Sequence, residues 1–162
     1  MRTATLIIMI SAAAFSADDP AGWDKARWGM TEPQLLRAFG PEAVRLDPAL
    51  MVGRANVRLS VQPVDLANTR FRALLIPDGA GRLDSVLLGP VDHTAETESL
   101  FHSLEQLLVQ KYGRPWTVRE GGGNEIQWTV QTTVITLTLF HSPLTGETYV
   151  TVQYKRKTPS RL

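Results

Sequence analysis

Three stretches late in the chain, "NEIQWTV" (124–130), "TVITLTLF" (133–140) and "TYVTVQY" (148–154), alternate apolar with polar residues. Successive side chains of a strand project to opposite faces, so this pattern demands a sheet with one buried face and one polar face. An earlier set, "NVRLSVQPV" (56–64), "TRFRALLI" (69–76) and "RLDSVLLG" (82–89), is also rich in strand-forming residues. The connections "PDGAG" (Pro77–Gly81), "GGG" (Gly121–Gly123) and "SPLTG" (Ser142–Gly146) are turn-like. Such short connections make neighbouring strands antiparallel.

A helix with strong stop signals precedes each set. In "WGMTEPQLLRAFG" (28–40), Thr31 opens a Thr-x-x-Gln capping box closed by Gln34, and Pro33 sits in the first turn. Met30 and Leu35 are spaced for a hydrophobic staple, and Leu35, Leu36 and Phe39 form the apolar stripe. Gly40 in a left-handed conformation and Pro41 then end the helix. In the second helix, Leu100, Phe101, Leu104, Leu107, Leu108 and Tyr112 recur at helical spacing. Thr94 supplies its cap, Glu96 and Glu98 suit its positive end, and Gly113 and Pro115 stop it. The two ends read alike, "LLRAFGP" and "LLVQKYGRP". The pattern predicts an α+β fold. About six antiparallel strands carry one short and one long helix on one face. A helix-plus-three-strands unit would repeat over residues 28–90 and 94–155 of a single domain spanning 18–162; the alternative is a chance likeness of two helix ends. The short helix is then a lid whose caps fix where it lands on the sheet.

The segment from Trp28 to Ala43 resembles a motif of the small lipoprotein of the outer-membrane β-barrel assembly machinery and of β-lactamase-inhibitor-protein-like domains. Gly29, Met30, Thr31, Gln34, Leu35, Leu36, Gly40 and Pro41 carry the likeness, over about one tenth of the chain. The resemblance implies a helix on a small antiparallel sheet, an envelope location and a binding or scaffold role. The lipidated cysteine of that lipoprotein has no counterpart here, and Trp23 to Gly29 is short for its first helix.

Residues 1–17, "MRTATLIIMISAAAFSA", have a basic start, a short apolar run and small residues at the end, the layout of a secretory signal peptide. The run is shorter than the roughly 20 residues of a spanning helix. Cleavage after Ala14, Ser16 or Ala17 would leave no transmembrane segment and deliver a periplasmic or secreted protein. Of the 17 Lys and Arg, Arg2 lies in this segment, leaving 16 against 16 Asp and Glu. A chain so balanced lacks the basic excess that nucleic-acid binding needs. With no cysteine there is no disulfide, thiolate or cysteine-ligated zinc.

No motif for catalysis, cofactor or metal emerges. His93, His102 and His141 have no ligand spacing, and His102 is placed to pair with Glu105 on a helix. The serines sit in neither a Gly-x-Ser-x-Gly nor a Ser-x-x-Lys context, and "GGGN" lacks the Lys-Ser/Thr of a phosphate loop. The basic tail "YKRKTPSRL" reads as a solvated terminus. Trp128 falls in the core phase, Trp28 is placed to pack under the short helix, and Trp23 is the best candidate of the four for an exposed aromatic, with packing its favoured reading.

The polar phase of the strands is the candidate binding face. It holds Gln127, Thr129, Thr136 and Thr138, then Tyr149, Thr151 and Gln153. Arg58, Ser60 and Gln62 join it from the first half, with Arg70 and Arg72. Apart from the arginines this set is uncharged, and Tyr and Arg are favoured interface anchors. The expectation is a non-enzymatic binding or scaffold protein that recognises a protein or cell-envelope component through this face. Its rival is a small hydrolase or small-ligand-binding domain, and a simply solvated face is the plainer reading of the same residues.

Overall fold

The computed structural model describes residues 21–92, 97–119 and 123–158. The proposed signal segment, the Thr94 cap, His93 and most of the "GGG" turn lie outside these residues. The chain runs through a hairpin of β1 (Gly22–Trp23) and β2 (Ala26–Arg27), then α1 (Glu32–Phe39) and a 3-10 turn at Gly40–Glu42. Four strands follow: β3 (Ala43–Val52), β4 (Ala55–Leu66), β5 (Thr69–Pro77) and β6 (Leu83–Pro90). The second half repeats the order, with α2 (Thr97–Tyr112), β7 (Thr117–Arg119), β8 (Gly123–Val130), β9 (Thr133–His141) and β10 (Thr148–Arg156).

The fold is α+β. One antiparallel sheet of eight strands has the order β3-β4-β5-β6-β10-β9-β8-β7. That order reads the same from either edge: each helix is followed by a four-strand meander, and the two last strands meet at the centre. The unit is thus a helix and four strands rather than three. The additional strands are β3, whose sequence "AVRLDPALMV" is interrupted by Asp47-Pro48 and whose register with β4 shifts between Arg45 and Leu50, and the three-residue β7.

Register explains the core. One row of paired residues crosses the sheet as Ala43, Val61, Ala73, Leu88, Val152, Leu137 and Ile126. The neighbouring core row runs Leu59, Leu75, Val86, Tyr154, Ile135, Trp128. All these side chains are buried except half-buried Ala43, and they form one cluster with Leu35 and Phe39 of α1 and Leu100, Phe101, Leu104 and Leu108 of α2. Leu107, expected in the α2 stripe, is 42% exposed; at 100° per residue it falls at the margin of the arc centred between Leu104 and Leu108.

α1 is fixed at both ends, which explains its dense signals. The Thr31 N–H donates to Gln34 Oε1 at 2.8 Å, as the capping box requires. Just before it, Gly29 N–H donates to Leu83 O and Leu83 N–H to Met30 O, both at 2.8 Å, tying the helix entry to β6. Gly40 closes the other end with φ +54° and ψ −125°, its N–H reaching Leu36 O. This is a positive φ but not the left-handed helical conformation that "GP" suggested, because Pro41 carries the chain on into the 3-10 turn. Gly113 ends α2 with φ +80° and donates to Val109 O at 2.8 Å. Alanine at Gly113 should therefore cost about 1 kcal/mol, and at Gly40 more, since a Cβ is disfavoured there in both angles. Urea midpoints of the two variants test this; unchanged midpoints would refute it.

The tryptophans divide between core and surface. Trp128 is in the core, and Trp28, half-buried, donates its indole N–H to Thr133 Oγ1 at 3.0 Å. Trp23 is buried, stacked on Phe39 with centroids 6.0 Å apart, because the β1–β2 hairpin folds it under α1. The exposed aromatic is Trp116, 78% accessible just before β7.

Tyr154 supplies a pH-dependent contribution. Burial, then the charge and hydroxyl of neighbouring Tyr112, 3.5 Å away, hold its phenol well above the ordinary 10.0. The unfolded chain releases this proton near that value while the folded chain keeps it. The stability carried by the neutral phenol is complete below pH 10 and is lost as pH rises through the raised folded value. Tyr154→Phe should flatten this alkaline limb in denaturation curves; parallel losses in both proteins would refute the assignment.

Candidate binding face

The helices cover one face of the sheet, and the register defines the other. Its central row runs Val44, Ser60, Leu74, Leu87, Gln153, Thr136, Gln127 across β3, β4, β5, β6, β10, β9 and β8. Beside it lie Thr151, Thr138 and Glu125 on β10, β9 and β8, with Arg72 opposite Gly89 on β5 and β6. Gln127, Thr136, Thr138, Thr151 and Gln153 are therefore brought together on three adjacent strands, all half-buried. Thr129 is on the same face and exposed. Tyr149 stands at the end of β10, paired with Phe140, its hydroxyl bonded to the Glu147 carboxylate. That carboxylate holds the Tyr149 phenol above its ordinary value.

The arginines are dispersed. Arg72 Nε donates to Gln62 Oε1 at 3.0 Å, so this guanidinium is already oriented along the sheet. Arg70 sits opposite Asp65 at the start of β5. Arg58 does not share a surface with the rest; it lines a cleft beside α1 with Glu32 and Leu35.

Two expectations about this face change. It is not free of fixed charge other than arginine: Glu125, one alternation before Gln127, accepts from Gln127 Nε2 at 2.9 Å, and Lys155 follows Gln153 in the same phase. Glu125 belongs to "NEIQWTV" itself, in phase with Gln127, whereas Lys155 lies just past "TYVTVQY", since β10 runs on to Arg156. Nor is it uniformly solvated. Ser60, expected exposed, is fully buried with no partner for its Oγ among the described residues, and Ser85 and Ile76 are buried too. The first half of the face is apolar at its middle, with Leu74 against Leu87. Leu50, from β3 beyond its irregularity, shares with them, Val91 and Arg72 a shallow cleft of about 200 Å³. "ALLI" and "VLLG" carry apolar residues at both parities, the sign of a strand covered on both sides. That signal could have identified Leu74 and Leu87.

Among the described residues no three His, Cys, Asp or Glu side chains converge as metal ligands. His102 Nδ1 lies 3.5 Å from Glu105 on α2, the pairing the spacing implied, and His141 Nδ1 lies 3.1 Å from Thr148 Oγ1. Among the described residues no helix is long and apolar enough to cross a membrane. Comparison with protein-family models, curated proteins and solved structures gives no match.

Proposed function

We propose that this is an exported, periplasmic protein that binds a protein or cell-envelope component through the helix-free face of its sheet, acting as a binding or scaffold module and not as an enzyme. One observation carries the reading. The face joins a half-buried Leu74–Leu87 centre to a flank of Gln153, Thr136, Gln127, Thr138 and Thr151. An apolar centre with a hydrogen-bonding surround is the composition of protein interfaces, and Thr and Gln desolvate at lower cost than fixed charge. Arg72 at the edge of the apolar centre is the anchor best held in place; Arg70 and Tyr149 flank the patch. The amino-terminal layout of residues 1–17 supports export. The likeness of Gly29–Pro41 to envelope binding and scaffold proteins agrees with it.

The test is affinity capture from envelope extract with the wild type and with an Arg70→Ala, Arg72→Ala, Tyr149→Ala variant whose circular dichroism is native. A partner recovered by the wild type and lost by the variant is the expected result. Equal recovery by both would move the binding face elsewhere.

A further inference from the structure

We propose that the cleft beside α1, away from the open face, binds a small carboxylate that carries an apolar body. The cleft, open to solvent on one side, has a volume of about 640 Å³, the size of a small-molecule site. Leu35 of α1 forms one side, Leu59 and Leu75 of the sheet lie at its base, and the turns after β3 and β5 close it. Leu59 and Leu75 belong to the core row at the β4–β5 end of the sheet and, like Leu35, are buried, so each meets the cleft only at an edge; Ala55 and Pro77 complete its apolar lining. An apolar base of this kind selects a ligand with hydrocarbon to bury.

Four charged residues line the cleft, and they are not equivalent. The Glu32 carboxylate is paired with Arg45. Asp78 Oδ1 accepts the N–H groups of Arg82 and Ala80, each at 2.9 Å, within its own turn. Arg54 and Arg58 make no hydrogen bond or ion pair to a described residue. Two exposed guanidinium groups therefore line the cleft without a partner among the described residues, and the planar fork matches a carboxylate with two parallel hydrogen bonds. The apolar lining narrows the class: hydrocarbon attached to the anionic group gains burial there, whereas inorganic phosphate gains nothing from it. The same chemistry occurs in a free medium-chain fatty acid and in the C-terminus of a peptide ending in an apolar residue.

The experiment is titration of the ¹⁵N-labelled protein, followed by amide shifts, with octanoate and with a short Leu-terminated peptide acid. Octanol, the amidated peptide and inorganic phosphate are controls. Saturable shifts at Leu35, Leu75, Gly79 and Gly81 are expected with at least one carboxylate and not with the controls. Response to octanoate alone assigns the free acid, and response to the peptide alone assigns the C-terminus. Arg54→Gln with Arg58→Gln should weaken binding about tenfold or more. Should the double variant not fold, Arg54→Gln alone, in the exposed turn between β3 and β4, should weaken binding in the same direction. No saturable shift with either carboxylate, equal binding of octanol or phosphate, or undiminished binding by the arginine variants would overturn the proposal.

Discussion

Replacing Trp128 with alanine is expected to destabilise the protein by about 4 kcal/mol, the middle of the range for truncating a buried aromatic. Trp128 is 1% exposed, pairs with Ile135 at the heart of the second half, and donates its indole N–H to Gly113 O at 2.9 Å. It thus joins β8 to the end of α2, and its loss opens a cavity where helix and sheet meet. Against a typical total of about 5–15 kcal/mol, such a loss leaves a measurable unfolded population. Trp128→Phe keeps most of the packing and loses the hydrogen bond, so a loss nearer 1–2 kcal/mol is expected. Urea denaturation of both variants decides between them. If alanine and phenylalanine shift the midpoint equally and slightly, Trp128 is not the joint described.

Phe39→Ala should cost about 3–5 kcal/mol for a different reason. α1 has eight residues, fewer than an isolated helix needs to persist in water. Its stability comes from burying Leu35 and Phe39, and Phe39 also supports Trp23 and lies 5.8 Å from the Lys25 ammonium. Losing the ring should release α1 with the β1–β2 hairpin. Faster hydrogen exchange at the amides of 32–39, with a lower urea midpoint, is the expected observation. Retained protection there would mean that the backbone ties of Gly29, Met30 and Leu83 suffice.

The parts of the fold that were legible in the sequence are those with a clean period. "NEIQWTV", "TVITLTLF" and "TYVTVQY" placed Ile126, Trp128, Val130, Ile135, Leu137, Leu139, Val150, Val152 and Tyr154 on the core side, where all are buried except half-buried Val130 and Leu139. The α1 limits followed from Thr31, Gln34 and Gly40 because capping is a local matter. β3 was not legible, since Asp47-Pro48 breaks its pattern and its pairing with β4 skips residues. Nor was β7, three residues being too few for any period. The candidate face was legible in its second half, where polar residues alternate. In the first half it was not, because Leu74 and Leu87 sit in apolar runs and Ser60 is buried beneath a surface that alternation would leave open. Burial of Trp23 beneath α1 and exposure of Trp116 depend on contacts between distant segments, which spacing does not encode.

The central claim is that the helix-free face meets a partner. Site-specific photocrosslinking in cells tests it most directly, with a benzophenone amino acid placed singly at Gln153, Thr136 or Thr151. The same group at Gln106 or Gln110, exposed on α2, provides the comparison. Discrete adducts of one mass from the three sheet positions, and none from the two helix positions, are expected. Adducts confined to the helix positions, or none from the sheet positions in cells that produce the protein, would contradict it.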